Sequence, residues 1–335
     1  MPLNMNVFKK VLKPVLPLVL GGFILFWIYR DFDFSAVGTV LFQKMNWRWM
    51  LLSLTFGACG YMIRGWRWKQ VLEPMGVSPG TNNCVNAVFV SYAVGLLLPK
   101  LGEISRCGIL AKYGNVSFMK SLGTMVTERL IDILCIAVIT IVALLFQQQV
   151  FNRFFAETGI NLSNIPSSFT SLRFYVILGG VVVAIALLLY LMYKLSFFKK
   201  LKKPALHVWE GVMSLRGIKN IPLFTLFTVL IWFCYFMHFY IAFFCFPFTE
   251  HLSVWAGLVM FIGGTFSFIV PTPAGAGSWH FVIISMMSLY GVNITDAGIF
   301  ALLVHGIQTL SMILLGIYGM AMLSFLNKTK AHQPH

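Results

Sequence analysis

Charged residues are scarce in this sequence of 335 residues. Only 10% of the chain is Asp, Glu, Lys or Arg, whereas a soluble domain averages about 25%, and hydrophobic residues make up 59%. This composition excludes a water-soluble enzyme and indicates a polytopic membrane protein. Acidic residues are the scarcest class, with 10 Asp and Glu against 25 Lys and Arg. In a membrane protein this excess is typical of cytoplasmic loops and of surfaces near anionic headgroups, so we expect no nucleic-acid partner.

Sequence motifs that are typical of soluble enzymes are also absent. The sequence has no phosphate-binding P-loop, no GxSxG nucleophile elbow and no HExxH zinc motif. Its six cysteines show no CxxC spacing, which argues against a disulfide framework and predicts packing roles. The histidines within apolar segments, His238, His280 and His305, lack metal-ligand spacing. We therefore expect no metal and no cofactor, and the polar stretches are too short for a separate catalytic domain.

Long apolar segments fill most of the chain, so the predicted fold class is all-α. A single membrane domain is expected over residues 1–335, with about six full spans. The candidate spans are residues 14–29, 47–63, 118–146, 172–193, 222–246 and 297–325.

Two further apolar regions are interrupted by proline and glycine. Residues 83–111 are broken at 99–103, and residues 252–290 are broken at 271–277. Because proline and glycine at this density do not continue a helix, each region predicts a re-entrant hairpin of two short helices. Backbone that is not helical survives at membrane depth only inside protein or beside water, so both breaks are candidate walls of a site.

The distribution of basic residues predicts the orientation. If each hairpin returns to its starting side, most of the 25 lysines and arginines, Arg64 and Arg67 among them, lie on one side, with both termini cytoplasmic. The hairpins then open toward opposite sides, which is typical of an inverted repeat with halves at about 14–146 and 172–325. The basic segment 195–220 between them predicts either an interfacial helix or an ordinary cytoplasmic loop.

A cluster of ionisable side chains surrounds the first break. It comprises Lys100, Glu103, Arg106, Glu128, Arg129 and Asp132. A charge at the bilayer centre costs at least about 2.5 kcal/mol, so these groups must pair or face water. In one interpretation the three basic residues bind a lipid phosphate while the three acidic residues orient them. In the other, the cluster is a structural set of salt bridges that stabilises a broken helix.

The second break predicts a different kind of site. Gly275 and Gly277 open a new helix, and free backbone N–H groups at a helix start favour an anion. His280 lies close to that start, and His305 and Gln308 lie one turn apart in the last span. The histidines are candidates for headgroup hydrogen bonding or proton relay, with ordinary core histidines as the alternative.

These motifs together resemble the lysylphosphatidylglycerol synthase transmembrane-region family, also described as flippase-like. They read Leu98-Pro99-x-x-Gly102-Glu103-x-x-Arg106, then Glu128-Arg129-x-x-Asp132, then Pro271-x-Pro273-x-Gly275-x-Gly277. The resemblance implies a helical membrane unit with re-entrant elements that moves lipid between leaflets. It does not extend to a soluble synthase domain. His280 and His305 stand where the family commonly has Glu and Arg, which leaves the aminoacyl-lipid substrate open.

The sequence thus predicts a lipid translocase or lipid-binding transporter of the bacterial inner membrane. Its expected partner is an anionic phospholipid or a polyprenyl-phosphate-linked lipid. The alternative is an integral-membrane transferase that acts on a lipid-linked substrate, with Glu103, Glu128 or His280 as general base. The absence of a known catalytic motif favours a protein that is not an enzyme.

Overall fold

The computed structural model describes residues 5–97, 99–147 and 217–328, and gives side chains from Leu16 onward, except at Pro99 and Lys100. In these ranges the chain is helical and contains no β-strand. The helices, numbered here in chain order, are α1 (Met5–Tyr29), α2 (Ser35–Thr39), α3 (Trp47–Leu72), α4 (Thr81–Leu97), α5 (Pro99–Tyr113), α6 (Phe118–Phe146), α7 (Ile221–Tyr240), α8 (Val254–Ser267), α9 (Ser278–Leu289) and α10 (Ile294–Lys328).

Polar caps define where several of these helices begin. Asn46 accepts a hydrogen bond from the Arg48 N–H at the start of α3. Asn220 and Ser253 cap α7 and α8 in the same way, each through a backbone N–H three residues ahead. Asn and Ser are preferred at this position because their side chains satisfy N–H groups that lack a partner in the first turn. Short polar stretches therefore separate the long apolar helices at defined residues.

Three of the described helical segments are long and apolar enough to cross a membrane. They are Phe118–Phe146, Ile221–Cys245 and Ile294–Lys328. These segments match three of the predicted spans and confirm the all-helical fold class. The predicted span 172–193 lies outside the described residues, as does the predicted interfacial segment apart from 217–220.

The predicted second span, 47–63, is part of a longer helix. α3 continues to Leu72, and Arg64 and Arg67 are buried within it. The sequence-based prediction ended the span at Ile63 and counted both arginines on the cytoplasmic side. The structure places them inside the helix and buries them, and the side on which they lie stays a prediction. The physical reason for their burial is ion pairing, since a buried guanidinium is tolerated where carboxylates neutralise it.

The first interrupted region forms an antiparallel pair of helices, α4 and α5, with α4 ending at Leu97 and α5 beginning at Pro99. Gly102 of α5 packs against the backbone of α4, where an added Cβ would overlap the Ser91 carbonyl oxygen and lie 3.0 Å from Gly95. At the open end of the hairpin, the Asn83 side chain donates to the Tyr113 carbonyl at 3.0 Å. The predicted break at 99–103 is instead the first turn of α5, since proline is accommodated at a helix start.

The second interrupted region forms a similar antiparallel pair, α8 and α9. Gly263 faces Val282 and Met286, and Gly264 faces Trp279, so contacts step in opposite directions along the two helices. Residues 268–277 make the reversal and include three residues with positive φ, namely Ala274, Gly275 and Gly277. The expected sequence of helix, break and helix is confirmed here, although each helix is shorter than predicted.

The two hairpins lie along α10 from opposite ends. Asn83 at the open end of the first hairpin exchanges hydrogen bonds with Asn327, and Gly316 of α10 packs directly on Ala93 of α4. The second hairpin is joined to the start of α10 through Gly291, and its tip reaches His305. The tip segment Pro273–Gly275 contacts α4. The reversals therefore approach each other beside the central part of α10.

Candidate functional site

An ion-pair cluster joins α3, α5 and α6 beside the first hairpin tip. Asp132 pairs with Arg64 at 2.5 Å, Arg67 at 3.3 Å and Arg129 at 3.3 Å. Glu128 pairs with Arg106 and, at 3.5 Å, with Arg67. Glu103 pairs with Arg129 at 2.7 Å. The predicted cross-pairing of the acidic and basic residues around the first break is thus present in the structure.

Most of this cluster is inaccessible. Arg64, Arg67, Arg106 and Glu128 are at most 3% exposed, and the Arg106 guanidinium stacks on the Trp68 ring at 4.6 Å. A buried charge that loses its partner destabilises a fold strongly, so these pairs hold the three helices in one arrangement. Arg106 and Glu128 therefore fit the structural interpretation of the cluster rather than direct contact with a headgroup.

Arg64 and Arg67 are the site residues that sequence reasoning missed. They lie three residues apart, so they share one face of α3, and both reach Asp132. The sequence signal was weak, because Trp66 and Trp68 continue the aromatic pattern while Gly65 and the basic residues interrupt the apolar run. The two tryptophans are consistent with a helix that extends past Ile63, as the structure shows.

The Glu103–Arg129 pair differs from the rest of the cluster in its exposure. The Arg129 side chain is 47% exposed and that of Glu103 is 37% exposed. Large apolar side chains are exposed on the same helices: Leu101, Ile104, Leu130 and Ile133. An accessible ion pair among exposed apolar side chains is costly at membrane depth and therefore marks a candidate functional site.

Charge within the described cluster is unbalanced. Four arginines face three carboxylates, so one positive charge is in excess when all seven groups are ionised. Lys100 lies in the first turn of α5, but its side chain is outside the described part of the structure. Its predicted contact with a phosphate therefore stays a prediction. The excess positive charge in the described cluster favours an anionic ligand.

Three backbone N–H groups at the tip of the second hairpin form hydrogen bonds within that hairpin. The N–H of Gly275 donates to the Thr272 carbonyl at 3.2 Å, that of Ala276 to Pro273 at 2.8 Å, and that of Gly277 to His280 Nδ1 at 3.4 Å. The N–H groups of Gly275 and Gly277 are therefore not free to bind an anion, whereas the anion site expected at the start of the helix stays a prediction. Positive φ angles at the tip allow a tight turn whose N–H groups are used internally.

Two histidines hold this tip in place. His305 Nε2 donates to the Ala274 carbonyl at 3.0 Å, and the rings of His280 and His305 lie 4.7 Å apart. His280 is buried and contacts the Tyr29 ring of α1. The core interpretation of these histidines is therefore favoured over headgroup contact. His280 lies beside the tip as the sequence predicted, and His305 reaches the tip from α10.

His238 and Gln308 form a separate polar junction. His238 Nδ1 donates to the Ser53 carbonyl at 2.7 Å, and Gln308 Nε2 donates to the His238 carbonyl at 3.0 Å. This junction ties α10 to α3 and α7. Gln308 thus orients the helices. Among the described residues, no group of three His, Cys, Asp or Glu is placed to hold a metal ion.

The half-exposed Glu103–Arg129 pair lies at nearly the same height along the helices as the tips of both hairpins. Ile139 and Ala143 of α6 pack on Val259 and Ile262 of α8, and Phe146 stacks on Trp255, so the two helices are antiparallel. At 1.5 Å per residue, the end of α8 falls within about two helical turns of Arg129. Ile269, beside that end, is 77% exposed. The charged pair and both reversals therefore occupy one zone of the molecule.

A comparison with models of known families identifies the family of this chain. The family model described as lysylphosphatidylglycerol synthase TM region matches residues 15–316. The chain belongs to this family. No curated protein and no solved structure matches it. Family membership and the apolar helices identify an integral, multi-pass membrane protein with a lipid-related role, as the sequence motifs suggested.

Proposed function

We propose that this lysylphosphatidylglycerol synthase TM-region protein binds an anionic or polyprenyl-linked lipid by its headgroup and moves it between leaflets. The observation that carries the proposal is the half-exposed Glu103–Arg129 pair beside two hairpin tips that approach from opposite ends of α10. A headgroup at this point is midway along the long helix, while its acyl chains lie against exposed apolar side chains.

Arg129 is the residue proposed to bind the phosphate. Its guanidinium contacts Glu103 and Asp132, and a planar guanidinium has donors in a geometry that matches phosphate oxygens. Asp132 is held in turn by two buried arginines of α3. This support keeps Arg129 in position at the surface, which lowers the ordering cost of binding.

The opposite directions of the hairpins support movement between leaflets. Each hairpin closes the path from one end, so a small rotation of one half against the other exposes the shared zone to alternate sides. Because the sequence contains no ATPase motif, transport in this scheme is downhill, driven by ion coupling or supplied with energy by a partner. We place the protein in a bacterial inner membrane with both termini cytoplasmic.

Reconstitution tests the proposal directly. Vesicles that contain the purified full chain and a tail-labelled fluorescent phosphatidylglycerol are expected to show translocation, and Arg129→Gln is expected to lower its rate roughly ten- to a hundredfold, the loss of one charged hydrogen bond. Arg48→Gln, at an exposed arginine near the start of α3, is the matched control. If no phospholipid or polyprenyl phosphate is translocated, the proposal is wrong.

The transferase alternative makes a different prediction for cells. A deletion strain that lacks a transferase loses a lipid species, whereas loss of a translocase changes the sidedness of a lipid that is still made. Lipid analysis combined with a membrane-impermeant headgroup reagent separates the two outcomes. A missing species with unchanged sidedness of the remaining lipids would favour the transferase.

A further inference from the structure

Glu103 is the acidic member of the cluster that can most readily leave its partner. In the described part of the chain it forms one ion pair, with Arg129, and it is 37% exposed. Asp132 contacts three arginines and is 7% exposed, and Glu128 contacts two and is fully buried. A ligand that approaches Arg129 from the exposed side therefore meets Glu103 first.

A phosphate that replaces Glu103 as the partner of Arg129 leaves the Glu103 carboxylate without a counterion. The displaced carboxylate is left beside the incoming anion, among exposed apolar side chains such as Ile104 and Leu130. An unpaired charge in such surroundings is unfavourable, and like charges in proximity add repulsion. Protonation of the carboxylate removes both penalties and needs no second protein cation.

We propose that Glu103 is a proton-binding site, so that each lipid phosphate bound at Arg129 is accompanied by one proton on Glu103. This inference rests on the proposed function and adds its coupling ion. In the exchange the Glu103–Arg129 ion pair breaks, an Arg129–phosphate ion pair forms, and the carboxylate takes up a proton that the buffer acid in the solvent releases. The site then has the same net charge empty and loaded, which makes movement of a singly charged lipid electroneutral.

The charged groups around Glu103 are consistent with this exchange. α6 presents Arg129, with Asp132 on its far side, and on α5 Arg106 lies one turn further along but is engaged by Glu128. Lys100 lies one turn before Glu103 on the same helix. α4 contains no Asp, Glu, Lys or Arg between Thr81 and Leu97. Among the described side chains, no second cation is positioned to replace Arg129.

Calorimetry on the purified full chain tests the proposal. Short-chain phosphatidylglycerol, a phosphodiester without an amine, is titrated into the protein in two buffers of different ionisation enthalpy, which gives the number of protons taken up per lipid. We expect about one proton for the wild-type protein, and an affinity that rises roughly tenfold for each pH unit of acidification. Glu103→Gln is expected to bind the lipid with no proton uptake and no pH dependence. Glu250→Gln, at an exposed glutamate far along the chain, is the matched control.

The outcomes separate this inference from the proposed function. If the wild-type protein binds no phosphatidylglycerol, the headgroup site itself is wrong. If it binds the lipid without proton uptake, or if folded Glu103→Gln still takes up a proton, the lipid site stands and the proton site is wrong. Should Glu103→Gln fail to fold, the proton count and pH slope of the wild-type protein decide the question alone. An equal response to glycerol phosphate would assign the site to soluble phosphates and overturn the lipid-coupled proton site.

Discussion

The two hairpins are stabilised by different kinds of contact. The first packs backbone against backbone at Gly102 and lies beside seven ionisable side chains joined in ion pairs. The second has no Asp, Glu, Lys or Arg between Val254 and Leu289, and side chains and internal hydrogen bonds hold its tip. The comparison indicates that one hairpin provides a rigid, charged binding surface and the other an uncharged tip that side-chain rearrangement can adjust.

The largest expected effect tests the rigidity of the charged half. Asp132→Asn removes the carboxylate that three arginines share. Because buried charges are left without their partner, we expect a loss of about 3–5 kcal/mol in stability, or no folded protein. Thermal unfolding in detergent measures the effect. Asp31→Asn, at an exposed aspartate near the end of α1, is the control and is expected to change the melting temperature little. Equal melting temperatures for the two variants would show that the buried pairs do not stabilise the fold.

A pair of glycine substitutions sharpens the comparison between the hairpins. Gly102→Ala places a methyl group against the fixed backbone of α4, and we expect a loss of about 1–3 kcal/mol. Gly263→Ala meets the flexible end of Met286 at 2.5 Å, which can move aside, so its loss is expected to be smaller. Gly22→Ala, with no atom within 4 Å of the added carbon, is the control. The reverse order of the first two variants, measured by thermal unfolding, would contradict the proposed difference.

A smaller effect is expected at the second tip. His305→Phe keeps a ring but removes the N–H that binds the Ala274 carbonyl, at a cost of about 1–3 kcal/mol that falls mainly on local opening. Hydrogen exchange across residues 273–277 is expected to become faster while exchange in α4 stays unchanged. His305→Gln, which retains a donor, is expected to recover part of the protection. Uniform exchange changes in both hairpins would mean that the tips do not move independently.

Much of this architecture follows from the sequence because the physical constraints are local. Proline and glycine breaks predicted both hairpins, and the cost of unpaired charge at membrane depth predicted the ion pairs of Glu103, Arg106, Glu128, Arg129 and Asp132. The orientation of the termini, the number of spans, the re-entrant course of the hairpins and the inverted repeat stay predictions. The predictions for residues 172–193 and for most of 195–220 concern residues outside the described structure.

What the sequence did not predict depends on contacts between distant segments. Arg64 and Arg67 followed an apolar run and had the composition of a loop, and only their pairing with Asp132 on α6 places them in the interior. The same holds for the second tip, where His305 is 31 residues from its partner Ala274. Internal hydrogen bonding of Gly275 and Gly277 depends on a turn geometry that the glycines permit but do not specify.

Photo-cross-linking of a lipid headgroup tests the central claim most directly. A phosphatidylglycerol analogue with a diazirine in its headgroup is activated in vesicles that contain the full chain, and mass spectrometry maps the labelled residues. The account predicts label at both hairpin tips and on α6 near Arg129, and loss of this label in Arg129→Gln. Label spread along the outer faces of α1 and α10, and unaffected by Arg129→Gln, would contradict a headgroup site between the hairpins.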